Sequence, residues 1–318
     1  MKTKKRPSLT FSQAVEGYDL YADARGLSPN TKADYHNSFR KFTVFLQDDP
    51  DPDPALAAVT ADQIREFLSS FEELTKKTVL NYYTALCALW TWAVKEGIVE
   101  HHTPHDVEPP DPERRAVEPF TESDLRLLLN SLGLSRSYAR PLKRDTQHTL
   151  PNAERNRAII LLMLDTGLRA TELCTLQLRC LDLRNRTIKV FGKGSAERIL
   201  PFSARTGQAI QRYTSQYRRE ATVDKTVFIT QLDNPMDRDQ LRKMLGRLGE
   251  RAAVRDCHPH RFRHTFAITY LRNGGDPWSL QMMLGHATMD MVRKYLAIAQ
   301  ADLNSNHRRA SPVDNWKL

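Results

Sequence analysis

Between His101 and Pro119 the chain reads HHTPHDVEPPDPERRAVEP. Prolines at this density forbid a continuous helix, because each lacks an amide hydrogen and biases the residue before it toward extended backbone. Apolar periodicity is strong on either side of this break and missing inside it. The chain is therefore expected to fold as two bodies, 9–100 and 120–318, joined by a linker over 101–119. At 318 residues each body is long enough to bury a core of its own.

The first body carries four helical patterns and no convincing strand. Phe11, Val15 and Tyr18 mark one face, and Tyr35, Phe39, Phe42 and Leu46 recur at helical spacing on a second. Thr60 to Gln63 forms a capping box that opens a third helix, with Ile64, Phe67, Leu68 and Phe71 facing inward. Leu80, Tyr83, Cys87, Trp90 and Val94 mark the fourth, which stops at Gly97. A linker-like stretch, Asp48 to Pro54, separates the second helix from the third. Residues 1–8 form a basic tail with no apolar run behind it, unlike a secretory signal.

In the second body Thr121 caps a helix that buries Leu125, Leu128, Leu129 and Leu132. A basic, loop-like segment with Arg136, Arg140, Lys143 and Arg144 follows. An apolar helix over 156–166 then ends at Gly167, which suits a left-handed cap. Two β-type runs, 187–191 and 198–202, flank Gly192-Lys193-Gly194-Ser195 and predict a hairpin. Helices are expected over 204–219, 237–253, 260–272 and 277–284, then one bearing Tyr295. The fold class is mainly α with a small antiparallel β-sheet.

A formal charge of +9 favours a polyanionic partner, since each Lys or Arg placed on a phosphate releases condensed counterions; on charge alone a solvated basic surface remains open. The longest apolar run, Ala158 to Leu164, is too short to span a bilayer, so no membrane role is expected. Cys87, Cys174, Cys180 and Cys257 form no C-x-x-C pair and read as reduced packing residues of a cytoplasmic protein.

The carboxy-terminal half holds residues suited to attacking a phosphodiester without metal. Such a reaction needs a nucleophile, charge compensation on the non-bridging oxygens and a proton for the departing oxygen. Tyr295 is the candidate nucleophile; a phenolate leaves phosphorus more readily than an alkoxide, so its phosphodiester can be reopened by a sugar hydroxyl. Arg169 and Arg263 supply planar forks for phosphate oxygens, and Glu172, three residues after Arg169, can orient the first fork. Lys193, between two glycines, can reach a departing oxygen. Singly, each has a plain structural alternative: a helix tyrosine, a surface Arg–Glu pair, a solvated turn lysine. His258, His260 and His264 invite a zinc reading, but Arg261 and Arg263 sit inside the cluster with no carboxylate. His101, His102, His105 and Asp106 are an equally weak set. Neither metal nor cofactor is expected.

Taken together, TGLRATEL around Arg169, GKGS around Lys193, PHRFRH around His260 and Arg263, and LGHATMDMVRKY from His286 to Tyr295 resemble the tyrosine recombinase (phage integrase) family, in the manner of an Xer-like site-specific recombinase. The likeness runs from about residue 9 to residue 300. It implies a SAM-like helical core-binding domain on one side of a DNA duplex and a catalytic domain on the other. It also implies that Tyr295 forms a 3′-phosphotyrosyl link, Arg169 and Arg263 bind the non-bridging oxygens, Lys193 is the general acid, His260 assists proton transfer, and His286 hydrogen-bonds the phosphate. Four protomers on specific recombination sites in double-stranded DNA would exchange strands through a Holliday junction, in integration, excision, transposition or dimer resolution. An accessory DNA-bending protein is compatible with this scheme, and the setting is the cytoplasm and nucleoid. Residues 296–318, with Leu296, Ile298 and Leu303, are expected to pack into a neighbouring protomer, although packing on the chain's own core also fits. Two departures, Phe262 where the family has Leu and Tyr295-Leu296-Ala297 where Tyr-Thr-His is common, touch packing only. Thr31, Lys32, Lys76, Lys77, Thr78 and Asn81 at the starts of the second and fourth helices are further candidate DNA contacts, as are Arg136, Arg140, Lys143 and Arg144. A type IB topoisomerase-like nicking and sealing protein and a DNA-binding regulator with an unused pocket are the competing readings.

Overall fold

The computed structural model describes residues 8–112, 118–133, 138–140, 143–146, 152–192, 197–285 and 288–299, with Ser311 and Val313. The chain divides into two compact units, Met1–Arg115 and Ala116–Leu318. Among the described residues no helix is long and apolar enough to cross a membrane.

The first unit contains α1 (Phe11–Ala24), α2 (Pro29–Leu46), α3 (Ala61–Ser69) and α4 (Lys76–Lys95). Each begins at a hydroxyl: the side chains of Thr10, Ser28, Thr60 and Thr75 accept backbone N–H groups of the first turn, closing donors that the helix leaves open. Phe42 is the hub of the core, meeting Phe11 and Phe67 edge to face at ring separations of 5.1 and 4.9 Å. The Asp48–Pro54 stretch is clamped rather than loose. Asp53 accepts the Ser12 N–H at 2.9 Å and Pro54 accepts that of Phe11 at 2.9 Å.

Two expectations need amending here. On α4 the buried stripe is Val79, Tyr82, Leu86, Leu89 and Ala93 with Trp90, while Val94 is exposed. Two apolar stripes overlap on this helix at Trp90, and packing against both α1 and α2 buries this one. The segment after His101 also holds one 3₁₀ turn, Thr103–Asp106, with Pro104 and Val107 buried. A proline is tolerated in the first turn, where its missing N–H has no partner to lose.

The second unit opens with α5 (Glu122–Asn130), followed by β1 (Tyr138–Arg140) paired antiparallel with β2 (Lys143–Thr146), a ladder where a basic loop was expected. Arg136 lies outside the described residues, and so do the side chains of Arg140, Lys143 and Arg144. Then come α6 (Ala153–Thr166), α7 (Ala170–Thr175), β3 (Leu181–Asp182), β4 (Thr187–Phe191) and β5 (Glu197–Pro201). The last five elements are α8 (Ala204–Tyr217), α9 (Arg238–Ala252), α10 (Pro259–Arg272), α11 (Pro277–Leu284) and α12 (Asp290–Ala299). The sheet is antiparallel in the order β3-β4-β5, and β4 and β5 form the expected hairpin one residue earlier on its second strand.

Register decides what this hairpin buries. Ile188 pairs with Leu200 and Val190 with Arg198, so these four share the inner face, and Lys189, Phe191 and Ile199 point outward. Ile188, Val190 and Leu200 enter the core while Ile199 is exposed. Arg198 is thus carried inward by strand alternation. The cysteines are free thiols, Cys174 and Cys257 buried.

Candidate active site

The site is assembled where α6 stops. Gly167 adopts φ +62°, ends that helix and turns the chain into α7, with Arg169 as the capping residue of α7. Glu172 accepts the Arg169 backbone N–H at 2.9 Å and, through its other oxygen, an Arg169 guanidinium N–H at 2.9 Å. The Arg-x-x-Glu pair of the sequence is therefore an internal clamp, not a surface ion pair. Its carboxylate is also gripped by Arg198, whose Nη1 and Nη2 donate to the two oxygens at 2.9 and 2.8 Å. Burial alone would raise the Glu172 carboxyl, but the bonds from Arg198 and Arg169 outweigh it and hold it below the usual range.

On α10, His258 caps the helix by accepting the Arg261 N–H on Nδ1 at 3.3 Å. The two arginines of HRFRH then part company. Arg261 turns to the Glu118 and Arg255 carbonyls and covers the Phe120 ring at 4.1 Å. Arg263 points inward, only 3% exposed, and donates to the Gly167 and Leu284 carbonyls, each at 2.7 Å. Burial, and then the neighbouring charge of Arg169, push it down to about 10, so it is still a cation at neutral pH.

His260, His264 and Tyr295 follow as a file of rings. The first two centroids lie 4.4 Å apart, and the His264 and Tyr295 centroids lie 5.3 Å apart in an edge-on contact. Burial, then the Arg263 and His258 charges, lower His260; burial, then His260 and Arg263, push His264 down to about 4. Tyr295 on α12 is 2% exposed, and burial raises its phenol although Arg263 and Arg169 pull the other way.

Arg169, His260, Arg263 and Tyr295 all line one cleft of about 570 Å³, together with Arg238, Arg242 and His258, and no carboxylate is among its described lining residues. A larger cavity of about 870 Å³ shares Arg242 and His258 but adds Asp239, Glu250 and Asp256. Its one thiol, Cys257, is pushed up to about 12 by burial, so it offers no nucleophile. The smaller cleft is the one that gathers the candidate residues. Lys193 and His286 lie outside the described residues.

Sequence reasoning missed Arg238, Arg242 and Arg198. The first two are four apart on one face of α9, a legible spacing. Arg198 had only strand alternation to betray it. The remaining candidates are dispersed. In the first unit Lys32 pairs with Asp23, while the Thr31 and Thr78 hydroxyls bond the capping hydroxyls of Ser28 and Thr75 at 2.8 and 2.9 Å. Lys76, Lys77 and Asn81 are exposed on the first turns of α4. His101 bonds Asp106 at 2.5 Å and His102 stacks on His105 at 3.5 Å. Leu296 and Ile298 pack against the cluster of α10, α11 and α12 in this same chain, which is the alternative to exchange for these two residues. Leu303 lies outside the described residues.

Residues 143–302 match the model of the phage integrase family, and residues 15–97 match that of the phage integrase N-terminal SAM-like domain. The tyrosine recombinase XerC of Corynebacterium efficiens is 27% identical over 307 residues, 95% of this chain and 93% of that protein. The XerC of Bacillus licheniformis is 29% identical over 264 residues, 79% of this chain and 82% of its own. Among solved structures, the Tn1549 transposon integrase in complex with transposon right end DNA has the same fold, with a TM-score of 0.72 at 22% identity over 95% of this chain and 100% of that one. The chain belongs to the phage integrase family, the tyrosine recombinases, enzymes that cleave and rejoin DNA.

Proposed function

We propose that this protein recombines double-stranded DNA at specific sites with Tyr295 as its nucleophile. The phenolic oxygen attacks the scissile phosphorus, the bond to the 5′-oxygen breaks, and a 3′-phosphotyrosyl link and a free 5′-hydroxyl result. The phenol's proton passes toward the neutral imidazole of His260, and Lys193 protonates the departing oxygen. Arg169 and Arg263 offset the charge that grows on the non-bridging oxygens, with His286 as a further donor. The reverse attack by a 5′-hydroxyl reseals the strand without ATP. Four protomers acting on two sites complete the exchange, with the first unit adding DNA contacts through Lys76, Lys77 and Asn81 and the segment beyond α12 linking neighbours.

The observation that carries this reading is Tyr295, the buried Arg263 and the part-exposed Arg169 lining one cleft with no carboxylate among its described lining residues. Such a lining suits a polyanion, and its described residues offer no carboxylate ligand for Mg²⁺. Incubation with nicked duplexes made from the DNA flanking the gene is expected to give a protein–DNA adduct that survives denaturation. Tyr295→Phe removes the adduct and keeps binding, and EDTA changes neither. An adduct that persists in the Phe variant, or cleavage that stops on chelation, defeats the assignment.

A further inference from the structure

Arg198 is absent from the lining of the cleft, yet it is tied to both phosphate forks. Its Nε donates to the Met283 carbonyl at 2.8 Å. Arg263 holds the next carbonyl, Leu284, at 2.7 Å, and Arg169 holds the one after, Gly285, at 3.0 Å. Three successive carbonyls at the end of α11 are thus each met by a different guanidinium. A helix end leaves its last carbonyls open and carries partial negative charge, so it is a natural seat for cations. Glu172 closes the assembly from the other side, taking the Arg198 fork on both oxygens and Arg169 on one.

We propose that Arg198 is a positioning residue for DNA cleavage: by occupying Glu172 and the Met283 carbonyl, it keeps the Arg169 fork turned toward the phosphate. The proposal rests on the reading of Arg169 as a phosphate-binding group. The Glu172 side chain is 4% exposed and must be satisfied from within, whereas that of Arg169 is 39% exposed and has room to turn. With Arg198 in place, Arg169 donates to only one of the two oxygens from its fork and spends Nη2 on Gly285. Without Arg198, Arg169 is the one cation left in contact with the buried carboxylate among the described residues, and its fork is drawn onto both oxygens. That turns it away from the cleft. Planar bidentate geometry is why arginine serves here; a lysine ammonium restores charge but cannot reach two oxygens and a carbonyl in fixed directions.

The test is single-turnover adduct formation at saturating nicked duplex, with affinity measured separately by gel shift. Arg198→Met is expected to bind the duplex as the native protein does and to cleave about 10²-fold more slowly, the scale of a displaced positioning group. Arg198→Lys falls between. Because Arg198 acts on Arg169 through Glu172, the double variant with Glu172→Gln is no slower than Arg198→Met alone, whereas an ion pair that only stabilises the fold couples in stability and leaves the single-turnover rate of the folded protein unmoved. Multiplying effects in the double variant, or native cleavage by either folded single variant, overturn the proposal. If Arg198→Met does not fold, the same cycle is run with Arg198→Lys and is judged the same way. Tyr295→Phe, assayed on the same duplex, separates the two ideas: an adduct there sinks the reading of the site itself, and its absence leaves that reading standing whatever Arg198 does.

Discussion

Tyr295 is held under opposing influences, burial raising its phenol and the Arg263 and Arg169 charges lowering it. In the proposed attack the proton therefore leaves with help, and His260, lowered by burial, is suited to take it. The ring between them has a cost in stability that depends on pH. His264 meets Tyr295 and His260 directly, and burial first, then His260, Arg263 and His258, push it down from 6.5 to about 4. Between those values the unfolded chain binds a proton that folded His264 refuses. Stability is full above the unfolded value and is lost as pH falls toward the folded one. His258 and His260, lowered in the same direction, add to the trend. Thermal denaturation is thus expected to show the melting temperature dropping from about pH 7 to about pH 5, with a shallower drop in His264→Phe. Equal slopes in the two proteins would show that His264 is not the source.

At the scale of elements, two glycines with almost the same backbone angle make a controlled comparison. Gly97 (φ +67°) and Gly167 (φ +62°) both end helices in the left-handed region. A Cβ on Gly97 meets nothing within 4 Å, but one on Gly167 lies 2.4 Å from Phe266 Cδ1 and 2.9 Å from Leu284 Cδ2. Gly97→Ala should therefore cost only the backbone term, about 1 kcal/mol. Gly167→Ala should add overpacking for a total on the order of 3 kcal/mol. It should also slow cleavage, since the Gly167 carbonyl anchors Arg263. Urea denaturation of both variants checks the ranking, and equal losses would contradict it. Gly167 was legible as a helix stop because glycine has one dominant meaning after an apolar helical run. The face of α4 was not, because two stripes of similar apolarity compete and only neighbours choose between them. Arg198 was hidden for a related reason: a charged residue in a short strand reads as outward, and register with Val190 shows otherwise.

At the scale of the molecule, the aromatic core around Phe42 and the cores of the second unit are separate clusters, so each unit has its own source of stability. A polypeptide of residues 1–115 is expected to unfold cooperatively by itself, with buried Trp90 and Trp92 reporting the transition in fluorescence. A broad, non-cooperative change would mean that it borrows stability from the rest of the chain. The convergence of Arg169, His260, Arg263 and Tyr295 was legible as an ordered set of motifs, since no single one of them distinguishes chemistry from an ordinary helix surface. What no spacing could reveal is how deeply the phenol is sheltered. A phenol 2% exposed gives little purchase to stray electrophiles, so in the free protein nitrating reagents should spare Tyr295 and mark Tyr217, which is 40% exposed. With Tyr295 as the proposed cutting group, the resting enzyme is in this sense latched: its phenol stays sheltered among the protein's own side chains while no DNA is bound.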